Sequence, residues 1–115
     1  MGCIIYDDEV ERIELGDGEW VDIKRKMSYG DRQKLIAYYA KLQTKLNSPD
    51  VDISLDMEAG SIMLLLLNIK AWSLKDRKGK PLPITKETIA MLDPDVARKL
   101  EQEIEKRNPT GPFQG

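Results

Sequence analysis

Apolar and polar residues alternate near the start of the chain, and this pattern predicts a β-hairpin over residues 10–26. Four apolar side chains at every second position would share one face of its two strands: Ile13, Leu15, Val21 and Ile23. Between the strands, Gly16-Asp17-Gly18 supplies residues that accept a positive φ. Trp20 then falls on the opposite face, either as a half-buried ring on the sheet or as a contact residue for a partner.

A first helix is predicted after the hairpin, because the apolar spacing changes from two residues to three and four. Its apolar stripe consists of Leu35, Tyr39, Leu42 and Leu46. Ser28 followed by Asp31 resembles a capping box at the start of this helix. Asn47-Ser48-Pro49 ends it, because the residue before a proline is disfavoured in the α region.

A second helix is predicted from a cap at Asp56 to about Trp72. The run Ile62–Leu67 is apolar without interruption, and a helix that is apolar on all sides must be buried all round. One interpretation is a central core helix enclosed by its own chain. The other is that so small a chain leaves one side of this helix for another subunit or for a partner's helix.

The remainder of the chain predicts short elements. Gly79 marks a turn, and Leu82 alternates with Ile84 as in a short strand. Thr85 is the expected cap of a short helix, and Asp93-Pro94 opens a last one that ends at Asn108-Pro109. The predicted fold is therefore α+β and mostly helical, an N-terminal β-hairpin followed by about four helices around an apolar central helix. Residues 1–109 would form a single domain and residues 110–115 a flexible C-terminal tail.

Composition narrows the range of functions. The chain has 115 residues, no histidine and one cysteine, Cys3. It therefore has neither the ligands of a His/Cys zinc site nor the base of a Ser-His or Cys-His pair. We expect no enzyme, cofactor or metal. A secretory signal and an apolar run long enough to span a membrane are also missing from the sequence, so a cytoplasmic protein is expected.

One acidic segment deserves comparison with a cation site. Asp50, Asp52 and Asp56 belong to a series of polar residues at every second position from 50 to 58, as at the start of a calcium loop, but Leu55 and Ser61 stand where that loop requires Gly and Glu. A solvated acidic loop is the simpler interpretation. The same three carboxylates are the only cluster on which an enzyme with paired carboxylates could rest, and they have no evident catalytic partner.

The net charge of −2 is distributed in alternating acidic and basic blocks. Residues 1–22 are acidic apart from Arg12, whereas residues 68–80 are basic apart from Asp76. Such alternation is typical of neighbouring faces that complement each other, and a nucleic-acid-binding domain is usually basic overall. We therefore expect no nucleic-acid partner.

Three segments carry a resemblance to a known family: Trp20-Val21-Asp22-Ile23-Lys24-Arg25-Lys26-Met27-Ser28, Ile69-Lys70-Ala71-Trp72-Ser73-Leu74, and Gly79-Lys80-Pro81-Leu82-Pro83-Ile84-Thr85, the last followed by Ile89 and Leu92. In their order, over roughly residues 19–107, the chain resembles the tail assembly chaperones of long-tailed bacteriophages. The resemblance implies a small factor of the host cytoplasm that binds the tape-measure protein, keeps it soluble and helps to recruit tail-tube protein. The family has no catalytic motif to carry over.

A binder of helices needs apolar grooves with a charged rim. Five residues are the candidates for contact with a partner, four of them thioether or aromatic side chains that adapt to varied surfaces: Met57, Met63, Leu66, Trp72 and Met91. Self-association through the apolar helix is a further expectation. The alternative function is a structural virion component, such as a tail-completion or neck subunit, which would also be small, acidic and without catalytic residues.

Overall fold

A computed structural model of the chain describes the backbone of residues 3–46 and 53–109, and the side chains of residues 3–41 and 60–109. The described elements are β1 (Val10–Gly16), β2 (Glu19–Lys24), α1 (Tyr29–Leu46), α2 (Ile53–Asn68), β3 (Ile69–Trp72), α3 (Lys86–Ala90) and α4 (Pro94–Arg107). Together they form an α+β domain with a three-stranded antiparallel sheet in the order β1-β2-β3.

The predicted hairpin is confirmed. β1 pairs with β2 from Val10 opposite Lys24 to Gly16 opposite Glu19, with an irregularity in register after Glu14. The three turn residues have φ values of 97°, 54° and 79° at Gly16, Asp17 and Gly18. These are left-handed conformations, which glycine and aspartate adopt more readily than other residues, so the turn forms where the sequence permits it.

The predicted fold class is wrong in its mostly helical character, because the described residues form a three-stranded antiparallel sheet together with the four helices. The second helix ends at Asn68, and residues 69–72 form β3 instead of its last turn. β3 pairs with β2, placing Ile69 opposite Ile23 and Trp72 opposite Val21. An uninterrupted apolar run fits a buried strand as well as a buried helix, and here the open edge of β2 decides in favour of the strand.

The apolar helix also differs from its prediction in how it is covered. It begins at Ile53, so Asp56 is not its cap. Leu64 and Leu65 are buried in the core, and four further apolar side chains are half-buried against the same core: Ile62, Met63, Leu66 and Leu67. Between residues 60 and 72, no large apolar side chain is exposed. Over these residues, the chain encloses its own apolar segment.

Three further predictions concern the rest of the chain. The acidic segment around Asp50 and Asp52 and the tail 110–115 lie outside the described residues. The strand predicted at Leu82 and Ile84 does not form, and the neighbouring chain has only an isolated bridge between Lys75 and Pro81.

The predicted starts of α1, α3 and α4 are confirmed by side-chain hydrogen bonds. The Asp31 amide donates to Ser28 Oγ over 3.1 Å at the start of α1. Thr85 caps α3 in a capping box with Thr88, and Asp93 caps α4 with Pro94 in its first turn. The core lies between the inner face of the sheet and the helices, with Ile23, Leu35, Leu65, Leu100 and Ile104 completely or almost completely buried.

Candidate binding groove

An apolar groove of about 360 Å³ opens where the hairpin turn, the end of β3 and the junction between α3 and α4 meet. Seven apolar side chains line it: Leu15, Trp72, Leu74, Leu82, Met91, Leu92 and Val96. Its volume lies near the lower end of the ~300–1,000 Å³ that ligand pockets span. A groove of this size and chemistry suits a few apolar side chains.

Trp72 joins two walls of the groove. Its indole Nε1 donates a hydrogen bond to the Leu82 carbonyl oxygen over 2.8 Å, and the Leu82 amide donates to the Leu74 carbonyl oxygen over 3.0 Å. The chain after β3 therefore folds back on itself beside the indole. Because the polar end of the ring is satisfied within the protein, the rest of the half-buried ring is available to line the groove.

Ser73 connects this segment to the hairpin. Its Oγ accepts a hydrogen bond from the Trp20 amide over 2.8 Å and donates to Glu19 Oε2 over 2.6 Å. Its own amide donates to the Trp20 carbonyl oxygen over 3.0 Å. These bonds hold the turn end of the hairpin against the exit of β3, so that Leu15 and Trp72 lie on the same groove.

The opposite wall is built by the caps of two helices. Thr85 Oγ1 accepts from the Thr88 amide over 3.1 Å, and the Thr85 amide donates to Thr88 Oγ1 over 2.9 Å. α3 ends at Ala90, and its C-cap residue, Met91, is 75% exposed at the lip of the groove. A thioether at this position can adapt its rotamers to a bound surface.

The charged residues on the lining are mostly acidic. Asp17, Glu19 and Asp93 contribute three carboxylates, and Lys75 contributes one ammonium group. Lys75 also marks the base of a basic loop, residues 75–80, which Asp76 closes by accepting hydrogen bonds from the amides of Lys78 and Lys80 over 2.8 and 3.0 Å. The groove is therefore apolar at its floor and charged at its rim.

The structure brings together two of the five predicted contact residues. Trp72 and Met91 line the same groove, whereas Met63 and Leu66 are half-buried on α2 and pack against the core. Met57 lies outside the described side chains. Five groove residues were missed, and no sequence pattern marks them as neighbours because they come from separate segments: Leu15, Leu74, Leu82, Leu92 and Val96.

Trp20 is half-buried on the outer face of the sheet, outside this groove. The Arg12 guanidinium lies 3.6 Å from the centroid of its indole ring. The same guanidinium binds Asp22 through two hydrogen bonds of 2.9 and 3.2 Å. The hydrogen bonds to Asp22 raise the pKa of Arg12, so this cation stays charged over its ring.

A second concave surface of about 300 Å³ lies between α2 and α4 and shares Leu92 with the first. It includes Glu101, whose pKa burial raises, and the neighbouring charge of Glu105 raises this pKa further. Glu101 is the one described carboxylate with a raised pKa. The Ser61 hydroxyl hydrogen-bonds to Glu101, and no histidine or second carboxylate with a raised pKa lies beside it among the described residues.

Among the side chains that the structure describes, residues 3–41 and 60–109, no group of three or more His, Cys, Asp or Glu is placed to hold a metal ion. None of the helices described has the length and apolar character needed to cross a membrane. The arrangement is that of a binding surface for apolar side chains. Comparisons with protein-family models, curated proteins and solved structures find no match to this chain.

Proposed function

We propose that this protein is a tail assembly chaperone of a long-tailed bacteriophage. It binds the tape-measure protein in the host cytoplasm, keeps it soluble and helps to recruit tail-tube protein. The observation that carries the proposal is the open apolar groove that contains Trp72 and Met91. The resemblance described for the sequence supplies the partner, and the groove supplies a surface on which apolar side chains of a helix can be shielded from water.

The shape and chemistry of the groove support a binding function. Among the described side chains, Met91 is the most exposed large apolar one after Tyr29, and unlike Tyr29 it borders a concave apolar surface. The half-buried indole of Trp72 lies in the same groove, and tryptophan is one of the residues most enriched at the hot spots of protein–protein interfaces. A partner that covers Met91 and Trp72 would remove apolar surface from water on both molecules.

Co-expression with a tape-measure protein tests the proposal. The intact chain should raise the soluble yield of the tape-measure protein and co-purify with it. Met91→Asp should lose both effects, because a carboxylate would then be buried against the apolar partner. Tyr29→Asp is the matched control, since Tyr29 is 79% exposed outside the groove and a new acid in the first turn of α1 is favourable.

Mass spectrometry of purified particles distinguishes the alternative function. A chaperone should be scarce in finished virions, whereas a tail-completion or neck subunit would be present in stoichiometric amount. Unchanged tape-measure solubility together with no co-purification would refute the chaperone proposal. Self-association stays a prediction, and light scattering that shows a monomer at high concentration would contradict it.

A further inference from the structure

We infer that the groove selects a helical partner segment whose apolar residues are flanked by lysine or arginine. This inference rests on the proposed function, because it names the chemistry of the segment that the chaperone would bind. The observation that carries it is the charge on the lining, where Asp17, Glu19 and Asp93 stand against Lys75 alone.

None of these three carboxylates has an ion pair with another described residue. Nearby acids outside the groove do: Asp22 binds Arg12 at 2.9 Å, and Glu11 binds Arg107 at 2.6 Å. At the groove, three carboxylates without an ion pair to a described residue therefore lie beside apolar surface. A cation on a bound segment would meet an acid there on either side.

Hydrogen bonds hold two of the three carboxylates in place, and the third, Asp17, lies in the fixed turn of the hairpin with a φ of 54°. Glu19 accepts the hydrogen bond from Ser73 Oγ. Asp93 caps α4 by accepting from the Asp95 amide over 2.8 Å. Because these positions are set before binding, a basic side chain can pair with them at a small additional entropy cost.

The groove can take only part of a helix. Its volume of about 360 Å³ accommodates a few side chains. A helix that binds through apolar anchors spaced three or four residues apart on one face needs about this much space. The positions next to those anchors reach the rim. Basic residues there would face the acidic rim, whereas acidic residues would be repelled, so charge supplies selectivity in addition to the apolar contact.

Three synthetic amphipathic peptides test the inference. They share the same apolar anchors and carry flanking lysines, glutamines or glutamates. The full chain should bind the lysine peptide about tenfold more tightly than the glutamate peptide at low salt, as expected for a few solvent-exposed ion pairs. Isothermal titration should show this preference shrink as ionic strength rises. Tighter binding of the glutamate peptide, or no binding of any peptide, would overturn the inference.

A second test uses a variant that keeps the side-chain shapes at the groove but removes its three negative charges. In Asp17→Asn/Glu19→Gln/Asp93→Asn, asparagine still tolerates the turn and still caps a helix, and glutamine still accepts from Ser73. Binding of the lysine peptide should weaken about tenfold, while binding of the glutamine peptide stays the same. The control variant Asp8→Asn/Glu9→Gln/Glu105→Gln removes three charges outside the groove and should leave the preference intact.

The two proposals fail in different ways. If the lysine peptide binds as expected but the tape-measure protein neither co-purifies nor gains solubility, the proposed function is refuted and the inferred preference for basic segments is supported. If the variant Asp17→Asn/Glu19→Gln/Asp93→Asn keeps the tape-measure protein soluble and binds the lysine peptide as well as the unaltered chain does, the inference is refuted and the proposed function is supported.

Discussion

Breaking the buried ion pair between Lys24 and Asp31 should strongly lower the free energy of unfolding. Their side chains are 8% and 11% exposed and in direct contact. A second carboxylate, Asp7, lies 3.2 Å from Lys24 Nζ but is 71% exposed. Burial opposes the charged form of Lys24, yet its hydrogen bonds with Asp31 and Asp7 prevail and raise its pKa. Stability from this raised pKa is fully present below the ordinary value of about 10.4 and is lost as pH rises through the folded-state pKa.

Lys24→Met would keep the length and apolar stem of the side chain but leave Asp31 buried without its counter-charge. Removing one partner of a buried pair costs about 3–5 kcal/mol, a large part of the ~5–15 kcal/mol that stabilises a typical domain. Asp7→Asn, which alters only the exposed carboxylate, should cost about 0–1 kcal/mol. The difference between these two variants separates the effect of a buried charge from that of a surface contact.

Equilibrium unfolding in urea at pH 7 measures these costs. The double variant Lys24→Met/Asp31→Leu should recover most of the loss, because a buried pair replaced by apolar groups is often neutral or better. A loss below about 1 kcal/mol for Lys24→Met would refute the reasoning, since the buried charge would then be tolerated. A double variant as unstable as the single one would refute it too, because the defect would then be one of packing.

Three further variants test other parts of the fold. Glu101→Gln should raise Tm at pH 7 and leave it unchanged near pH 3. The pKa of Glu101 is raised in the folded state, so its carboxyl group destabilises the fold only when the pH rises through that pKa and the group ionises. Gly60→Ala should lower Tm, since a Cβ there would lie 2.7 Å from Tyr39 Oη, whereas Gly30→Ala, with no such neighbour, should raise it. Thr85→Ala should cost about 1 kcal/mol and weaken peptide binding, because it loosens one wall of the groove; calorimetry and titration check both.

Local chemistry accounts for what could be predicted from the sequence. The hairpin turn depends on three adjacent residues that tolerate positive φ, and each confirmed cap depends on a hydrogen bond between residues two or three positions apart. Such signals need no knowledge of the tertiary structure. The starts of α1, α3 and α4 were predictable for this reason.

The end of α2 was not predictable in the same way. The residues from Ile62 to Trp72 are apolar at nearly every position, so they have no periodicity to separate helix from strand. Asn68 sits completely buried at the junction, where its Nδ2 donates to the Leu64 carbonyl oxygen over 2.9 Å. Strand formation beyond it depends on the free edge of β2, a partner more than forty positions earlier in the chain.

The groove residues were also predictable from the sequence only in part. Trp72 and Met91 were predicted as contact residues from their side-chain chemistry, and that chemistry also selected Met63, which the core absorbs. What separates them is position in the fold. Side chains from the hairpin, from the segment after β3 and from the α3–α4 junction form one surface only when strand register and caps are known together.

The strand at residues 69–72 therefore changes where partner binding should be sought. Its pairing places Trp72 opposite Val21 at the end of β2, and the next residue, Ser73, bonds to the hairpin while Leu82 returns to the indole. The groove follows from the sheet, since a helix continued to Trp72 would break this pairing. A partner would contact a surface that β3 assembles and acids surround, whereas the apolar side chains described on α2 pack against the core.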